Sequence, residues 1–277
     1  MTNDDRRILR VGVAQLEVEL CERTANMRRL EAWMERNVVP SAHPTAIALP
    51  ELWDVGYCLD RAKAFADPDG AEVSAFLCEL ARKYHVWFAS GSALVSEGEN
   101  FYNRTYIVDP TGRIVETYDK VHLLPFITSE VGILTGGTRP ALYEIESAPC
   151  GSIICYDIRF PEWVRVYALS GIDVLFVCGE WVEARMDLWR TMLRAHAIEN
   201  TVYIVGVNCA GPSGDIVYGG GSLVCGPNGE ILFEGSGQPD TGFVDLDLDA
   251  LAETRGFLRV FESRHPELYG KIVEEKK

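Results

Sequence analysis

Short apolar runs alternate along this chain with charged stretches of helical period, and the alternation predicts its elements. Ile8–Leu16 reads as a first strand. The stretch from about Glu22 to Asn37 reads as a helix with Met27, Leu30, Trp33 and Met34 on one face. Ala46–Leu49 is a short buried strand that stops at Pro50 and Glu51. Glu72–Tyr84 follows as a second helix and Val86–Val95 as a third strand. Phe101–Val108 and Arg113–Tyr118 form a hairpin through Asp109-Pro-Thr-Gly112, a turn sequence.

A long Gly-containing loop, Lys120–Pro140, divides the chain, and ordered loops of that length are more often functional than accidental. The second half repeats the rhythm. Strand Gly151–Ile154 leads to helix Glu162–Leu169, and strand Val174–Val177 leads to helix Arg185–Glu199. Strand Val202–Val207 comes next. A hairpin of Gly221–Cys225 and Ile231–Phe233 then turns through Gly226-Pro-Asn-Gly229, and strand Gly242–Leu246 closes the core. No linker separates the halves. Interleaved strands and helices predict one layered α/β domain over residues 8–250. Residues 251–277 form a tail too apolar to hang free, with Phe257, Leu258, Phe261, Leu268 and Tyr269. It is expected to pack on the domain or on a partner subunit.

Composition narrows the function classes. The chain has 277 residues, 47% hydrophobic and 24% charged, enough for a large core without disulfides. A net charge of −15 argues against a nucleic-acid surface and against docking on anionic membranes. The eight cysteines contain no C-x-x-C pair. The five histidines (His43, His85, His122, His196, His265) show no metal-ligand spacing, so no metal site is expected. The start, Met1 to Arg7, is polar and lacks an apolar signal core. The expectation is a cytoplasmic protein with reduced cysteines.

Three ionisable residues follow apolar strands directly: Glu51, Lys120 and Cys155. Strand ends are where open α/β architectures build sites. A carboxylate near a thiol can take its proton and later activate water. A lysine can stabilise an oxyanion, and a cysteine can form a thioester. Each residue has a bland alternative, a solvated charge for Glu51 and Lys120 and a packed core thiol for Cys155. Their occurrence in this order favours chemistry. Cys150 and Cys155 span one strand and point to opposite faces, which argues against a disulfide between them.

With its three motifs in order, Leu-Pro-Glu51, Tyr-Asp-Lys120-Val-His-Leu and Ile-Cys155-Tyr-Asp-Ile-Arg-Phe-Pro-Glu162, the sequence resembles the nitrilase, or carbon–nitrogen hydrolase, superfamily from about Leu9 to Asp249. Arg194-Ala-His-Ala-Ile-Glu-Asn200 and Tyr218-Gly-Gly-Gly-Ser222 match as well. The resemblance implies a four-layer αββα sandwich. It implies Glu51 as general base, Lys120 as oxyanion-stabilising acid and Cys155 as nucleophile, with no cofactor. It places the family's second glutamate on Glu130, and the backbone N–H of Tyr156 beside Lys120 in the oxyanion hole. Cys155-Tyr-Asp-Ile-Arg-Phe-Pro-Glu and Gly179-Glu-Trp181 are most similar to the omega-amidase branch, including 2-oxoglutaramate amidases, whose substrates are small amides. Other amide, N-carbamoyl or nitrile hydrolysis stands as an alternative, and a non-catalytic binding or scaffold protein as one of another class.

Arg159 is a candidate for a distal substrate carboxylate, which a guanidinium matches in a bidentate way. An ion pair with Glu162 or Asp157 is its alternative. Tyr57, Trp53 and Trp181 are candidates for pocket walls. His122 invites a Cys–His pair with Cys155, but Leu123 and Leu124 beside it predict a buried, hydrogen-bonded role. His196 stands where that branch usually has arginine, and its apolar helical face predicts packing or subunit contact. The resemblance implies a homo-oligomer, with the Arg185–Glu199 helix and the tail as contact surfaces.

Overall fold

The computed structural model describes residues 6–125 and 130–273. In chain order its first half contains β1 (Ile8–Gln15), α1 (Arg23–Asn37), β2 (Thr45–Ala48), α2 (Ala62–Phe65), β3 (Asp67–Pro68), α3 (Ala71–Tyr84), β4 (Trp87–Ser90), β5 (Ser92–Glu97), β6 (Asn100–Val108) and β7 (Ile114–Asp119). The second half contains β8 (Ala141–Ile145), β9 (Ala148–Ile154), α4 (Pro161–Leu169), β10 (Val174–Gly179), α5 (Met186–Asn200), β11 (Tyr203–Asn208), β12 (Ala210–Ser213), β13 (Ile216–Gly219), β14 (Leu223–Cys225), β15 (Ile231–Glu234), β16 (Asp240–Asp247), α6 (Leu248–Leu258) and α7 (Pro266–Val273).

Fourteen of the strands form two mixed sheets, and β12 and β13 pair with each other apart from them. One runs β16-β1-β2-β4-β6-β5-β3, with β7 also paired to β6; the other runs β15-β14-β11-β10-β9-β8. Their inner faces meet in a core that contains Leu9, Val11 and Val13 from β1, Val174 and Phe176 from β10, and Val205 and Val207 from β11. Alternate residues of those strands point outward. Ala14 and Ile47 pack with Leu30 and Trp33 of α1 and Leu77 and Leu80 of α3. Leu175 and Val177 pack with Val164 of α4 and Trp189 and Leu193 of α5. The period-two pattern of each inner strand therefore serves two apolar contacts at once, and this produces helix, sheet, sheet and helix layers.

Three differences from the sequence reading have local causes. The single strand expected over 86–95 is two strands, because Gly91 turns the backbone (φ +103°) against Leu49. A Cβ at Gly91 would meet the Leu49 Cβ at 2.4 Å. The segment after Asn208, unassigned from sequence, is a hairpin of β12 and β13. The expected tail boundary at 251 falls inside α6. That helix starts at Leu248, capped by the Asp247 carboxylate on the N–H groups of Asp249 and Ala250. Leu251 is buried, while Phe257 is 87% exposed.

The expectation of fully reduced cysteines is corrected. Cys21 and Cys58 form a disulfide with a Cα–Cα separation of 5.7 Å. The Cys21 N–H donates to the Val55 carbonyl, which brings the loop after β1 against the turns after β2. Leu52, Val55 and Leu59 surround the pair. Cys150 and Cys155 are both free thiols.

Candidate active site

Glu51 lies in the turn that Pro50 starts beyond β2, fully buried. Its Oε1 accepts from Lys120 Nζ at 2.8 Å and from Asn103 Nδ2 at 2.8 Å. Its Oε2 accepts from the backbone N–H of Glu180 at 3.1 Å. Lys120 follows β7 directly, and its own N–H donates to the Asn103 carbonyl at 3.0 Å. Asn103, inside β6, thus holds both Lys120 and Glu51.

Glu130 lies beyond the described gap in the 120–140 loop; residues 126–129 of that loop lie outside the described residues. Its Oε1 receives Lys120 Nζ at 2.6 Å and the Tyr57 hydroxyl, and its Oε2 receives the Leu124 N–H at 2.7 Å. Lys120 is therefore clamped between two buried carboxylates.

Cys155 directly follows β9 and opens a single 3-10 turn, Cys155–Arg159, that runs into α4. Its φ is +47°, a left-handed conformation that β-carbon-bearing residues rarely adopt. The turn is held by Asp157. Its carboxylate accepts the Ile154 N–H at 3.0 Å, the His122 N–H at 2.9 Å and the Tyr118 hydroxyl at 2.7 Å. Behind the turn, His196 Nε2 meets the Ile158 carbonyl at 2.7 Å. The thiol interacts with the Glu51 carboxylate and the Glu180 N–H.

Burial dominates the electrostatics. It pushes the Glu51 carboxyl above its ordinary range, against the pull of Lys120. It opposes the charge on Lys120, yet Glu51 and Glu130 outweigh it and hold that ammonium well above its ordinary value. It raises the Cys155 thiol well above its ordinary value, and the negative Glu51 adds to the rise. The free site therefore stores a neutral thiol next to a carboxylate that can take its proton.

A cavity opens over the Cys155 sulfur, lined among others by Tyr57, Tyr156, Arg159, Trp181 and Arg185. It holds about 90 Å³, room for a short chain of atoms. The Arg159 guanidinium lies 5.4 Å above the centre of the Trp181 ring. Asp157 spends its oxygens on Ile154, His122 and Tyr118, so it does not anchor Arg159. Tyr57 and Trp181 stand on the cavity wall; Trp53 does not. The turn after Glu51 carries the Trp53 ring back into the outer core, near Phe76 and only 1% exposed.

His122 is half-buried rather than buried. Its Nδ1 meets Asp157 Oδ1 at 2.7 Å and its ring stacks on Phe160. His196 is buried with both ring nitrogens bonded within the subunit, to Glu199 and Ile158. Sequence reasoning missed Asn103, Glu180, Arg185 and Tyr218 as neighbours of the site. Asn103 carried a local signal as an amide inside a strand, and Glu180 and Tyr218 lay within the matching motifs Gly179-Glu-Trp181 and Tyr218-Gly-Gly-Gly-Ser222. No group of three His, Cys, Asp or Glu able to hold a metal occurs among the described residues. No helix there is long and apolar enough to cross a membrane.

Known proteins resemble this chain in sequence and in fold. The family model described as carbon-nitrogen hydrolase matches residues 10–256. A 2-oxoglutaramate amidase of Bacillus subtilis is 33% identical over 94% of this chain and 98% of its own. Saccharomyces cerevisiae Nit3, a member of the nitrilase superfamily, has the same fold (TM-score 0.86, 24% identity, 94% of this chain and 97% of that one). So does a mutant amidase from Nesterenkonia carrying the acetamide moiety of fluoroacetamide on its active-site cysteine (TM-score 0.84, 22% identity, 97% and 98%).

Proposed function

The chain belongs to the carbon–nitrogen hydrolase family, and we propose that it is a cysteine-dependent amidase that releases ammonia from a short omega-amide of a dicarboxylic or 2-oxo acid. The observation that carries this reading is the buried cluster of Glu51, Lys120 and Glu130 beside Cys155, which itself lines a small cavity.

In this mechanism the Cys155 sulfur attacks the amide carbon while Glu51 takes the thiol proton. Lys120 Nζ and the Tyr156 N–H hold the oxyanion. The proton passes from Glu51 to the departing nitrogen, the carbon–nitrogen bond breaks, and ammonia leaves a thioester on Cys155. Glu51 then takes a proton from water as its oxygen attacks the thioester. Collapse of the second oxyanion releases the acid and returns the proton to sulfur. Glu130 fixes Lys120 and accepts from the substrate amide. Arg159, supported on Trp181, receives the distal carboxylate. The omega-amide class is supported by that guanidinium and by the 2-oxoglutaramate amidase relative.

Ammonia release from 2-oxoglutaramate, succinamate and glutaramate tests the proposal. Wild type should turn over at least one of them and Cys155→Ala none. Activity retained in the mutant would end the mechanism, and no turnover of any omega-amide would end the substrate class.

The working form is read as a cytoplasmic homo-oligomer. Exposed Leu188 and Ile198 on α5, with Phe257 and Leu268 near the C-terminus, support subunit contact. Light scattering showing a monomer at micromolar concentration would contradict the assembly, and recovery outside the cytoplasmic fraction would contradict the compartment.

A further inference from the structure

Glu180, directly after β10, has no place in the mechanism above, yet the residue lines the same cavity as Cys155, Arg159 and Arg185. It is only 7% exposed. The Tyr218 hydroxyl donates to its Oε2 at 3.4 Å, and its Oε1 is buried with no hydrogen-bond partner among the described residues. The buried cation nearby, Lys120, pairs with Glu51 and Glu130 instead.

A buried polar atom without a partner costs about 1–3 kcal/mol, so such an atom on a cavity wall is an open recognition position. Burial, and then the negative Glu51, push the Glu180 carboxyl well above its ordinary range; Tyr218 and Lys120 act the other way and Asp54 adds to the rise. Buried and without a cation of its own, the carboxyl is favoured in its neutral form. Tyr218 donates to Oε2, so the acid proton belongs on Oε1, the oxygen that lacks a partner. The position calls for an acceptor, such as a carbonyl oxygen.

Resting on the amidase reading above, we propose that Glu180 is a specificity residue, whose Oε1–H donates to a carbonyl oxygen on the substrate chain and so selects monoamides of 2-oxo dicarboxylic acids. A saturated analogue would leave that donor unpaired. An amino-acid amide such as glutamine would set an ammonium donor against it. Sites built to hydrogen-bond one substrate group discriminate strongly against analogues that lack it.

The test compares kcat/KM for 2-oxoglutaramate, glutaramate and glutamine in wild type, Glu180→Gln and Glu180→Leu. Wild type should favour 2-oxoglutaramate over each of the others by at least about tenfold. Glu180→Gln keeps an N–H donor and an acceptor for Tyr218, so it should keep the preference. Glu180→Leu should lose it, by at least about tenfold in the ratio. Equal use of 2-oxoglutaramate and glutaramate by wild type, or a preference for glutamine, would overturn the proposal even if the leucine variant does not fold. An unchanged ratio in a folded Glu180→Leu would also overturn it. Those outcomes leave the amidase reading intact, whereas ammonia release surviving in Cys155→Ala would remove that reading itself.

Discussion

His122 Nδ1 lies 2.7 Å from Asp157 Oδ1, and this contact ties the loop that follows Lys120 to the turn that carries Cys155. Asp157 reinforces the tie through the His122 N–H, the Ile154 N–H and the Tyr118 hydroxyl. Lys120 and Cys155 follow strands of different sheets, and one buried carboxylate bridges the segments that carry them.

Removing that carboxylate leaves several buried donors without partners. Asp157→Ala should destabilise the fold by about 3 kcal/mol or more, read as a lower urea midpoint. It should also lower kcat, since the left-handed turn at Cys155 loses its main restraint. An unchanged midpoint would contradict this role.

The acid limb of the pH–rate profile follows from Glu51. In the proposed mechanism it acts as a base, so activity requires its ionised form and falls as pH drops through its pKa. Burial raises that pKa above the ordinary 4.5, so the limb in kcat/KM should lie above pH 4.5. Lys120 is held above 10.5, so no alkaline loss below pH 10.5 should come from it. An acid limb at or below pH 4.5 would contradict the account.

Glu130 and Tyr57 should separate in kinetics. Glu130→Gln removes one of the two charges that clamp Lys120 and should lower kcat by about a hundredfold or more. Tyr57→Phe removes one donor while Lys120 and the Leu124 N–H still hold Glu130. Its kcat should fall by less than about tenfold, by the ordinary worth of one hydrogen bond. Steady-state kinetics of both variants on one amide would check the order, and a reversed order would contradict it.

The Cys21–Cys58 bridge closes a loop with a sequence separation of 37, worth about 4 kcal/mol in the chain-entropy picture. Denatured, unreduced protein should titrate six thiols, the eight cysteines less the two joined. Reduction should lower the urea midpoint. Eight reactive thiols in that sample would contradict the bridge.

Much of this arrangement was legible in the chain. Glu51, Lys120 and Cys155 each stop an apolar run, and a strand end leaves the next side chain free of the sheet. The inner strands showed their period, and the two helix pairs showed theirs. What stayed hidden depends on contacts far apart in sequence. Cys21 and Cys58 carry no spacing signature, and Glu180 becomes unusual only when Glu51 and Tyr218 are beside it. Trp53 misled because two residues after Glu51 the turn has already reversed toward the core. The β12–β13 hairpin was obscured by its glycines, which leave little apolar alternation to read.

The central claim is that Cys155 carries the acyl group, and intact-mass spectrometry during turnover of 2-oxoglutaramate measures it most directly. Wild type quenched in acid within the first turnovers should show an added mass equal to the substrate less ammonia, mapped to Cys155 by peptide digestion. Ammonia released with no adduct on Cys155, or an adduct that persists in Cys155→Ala, would contradict the account.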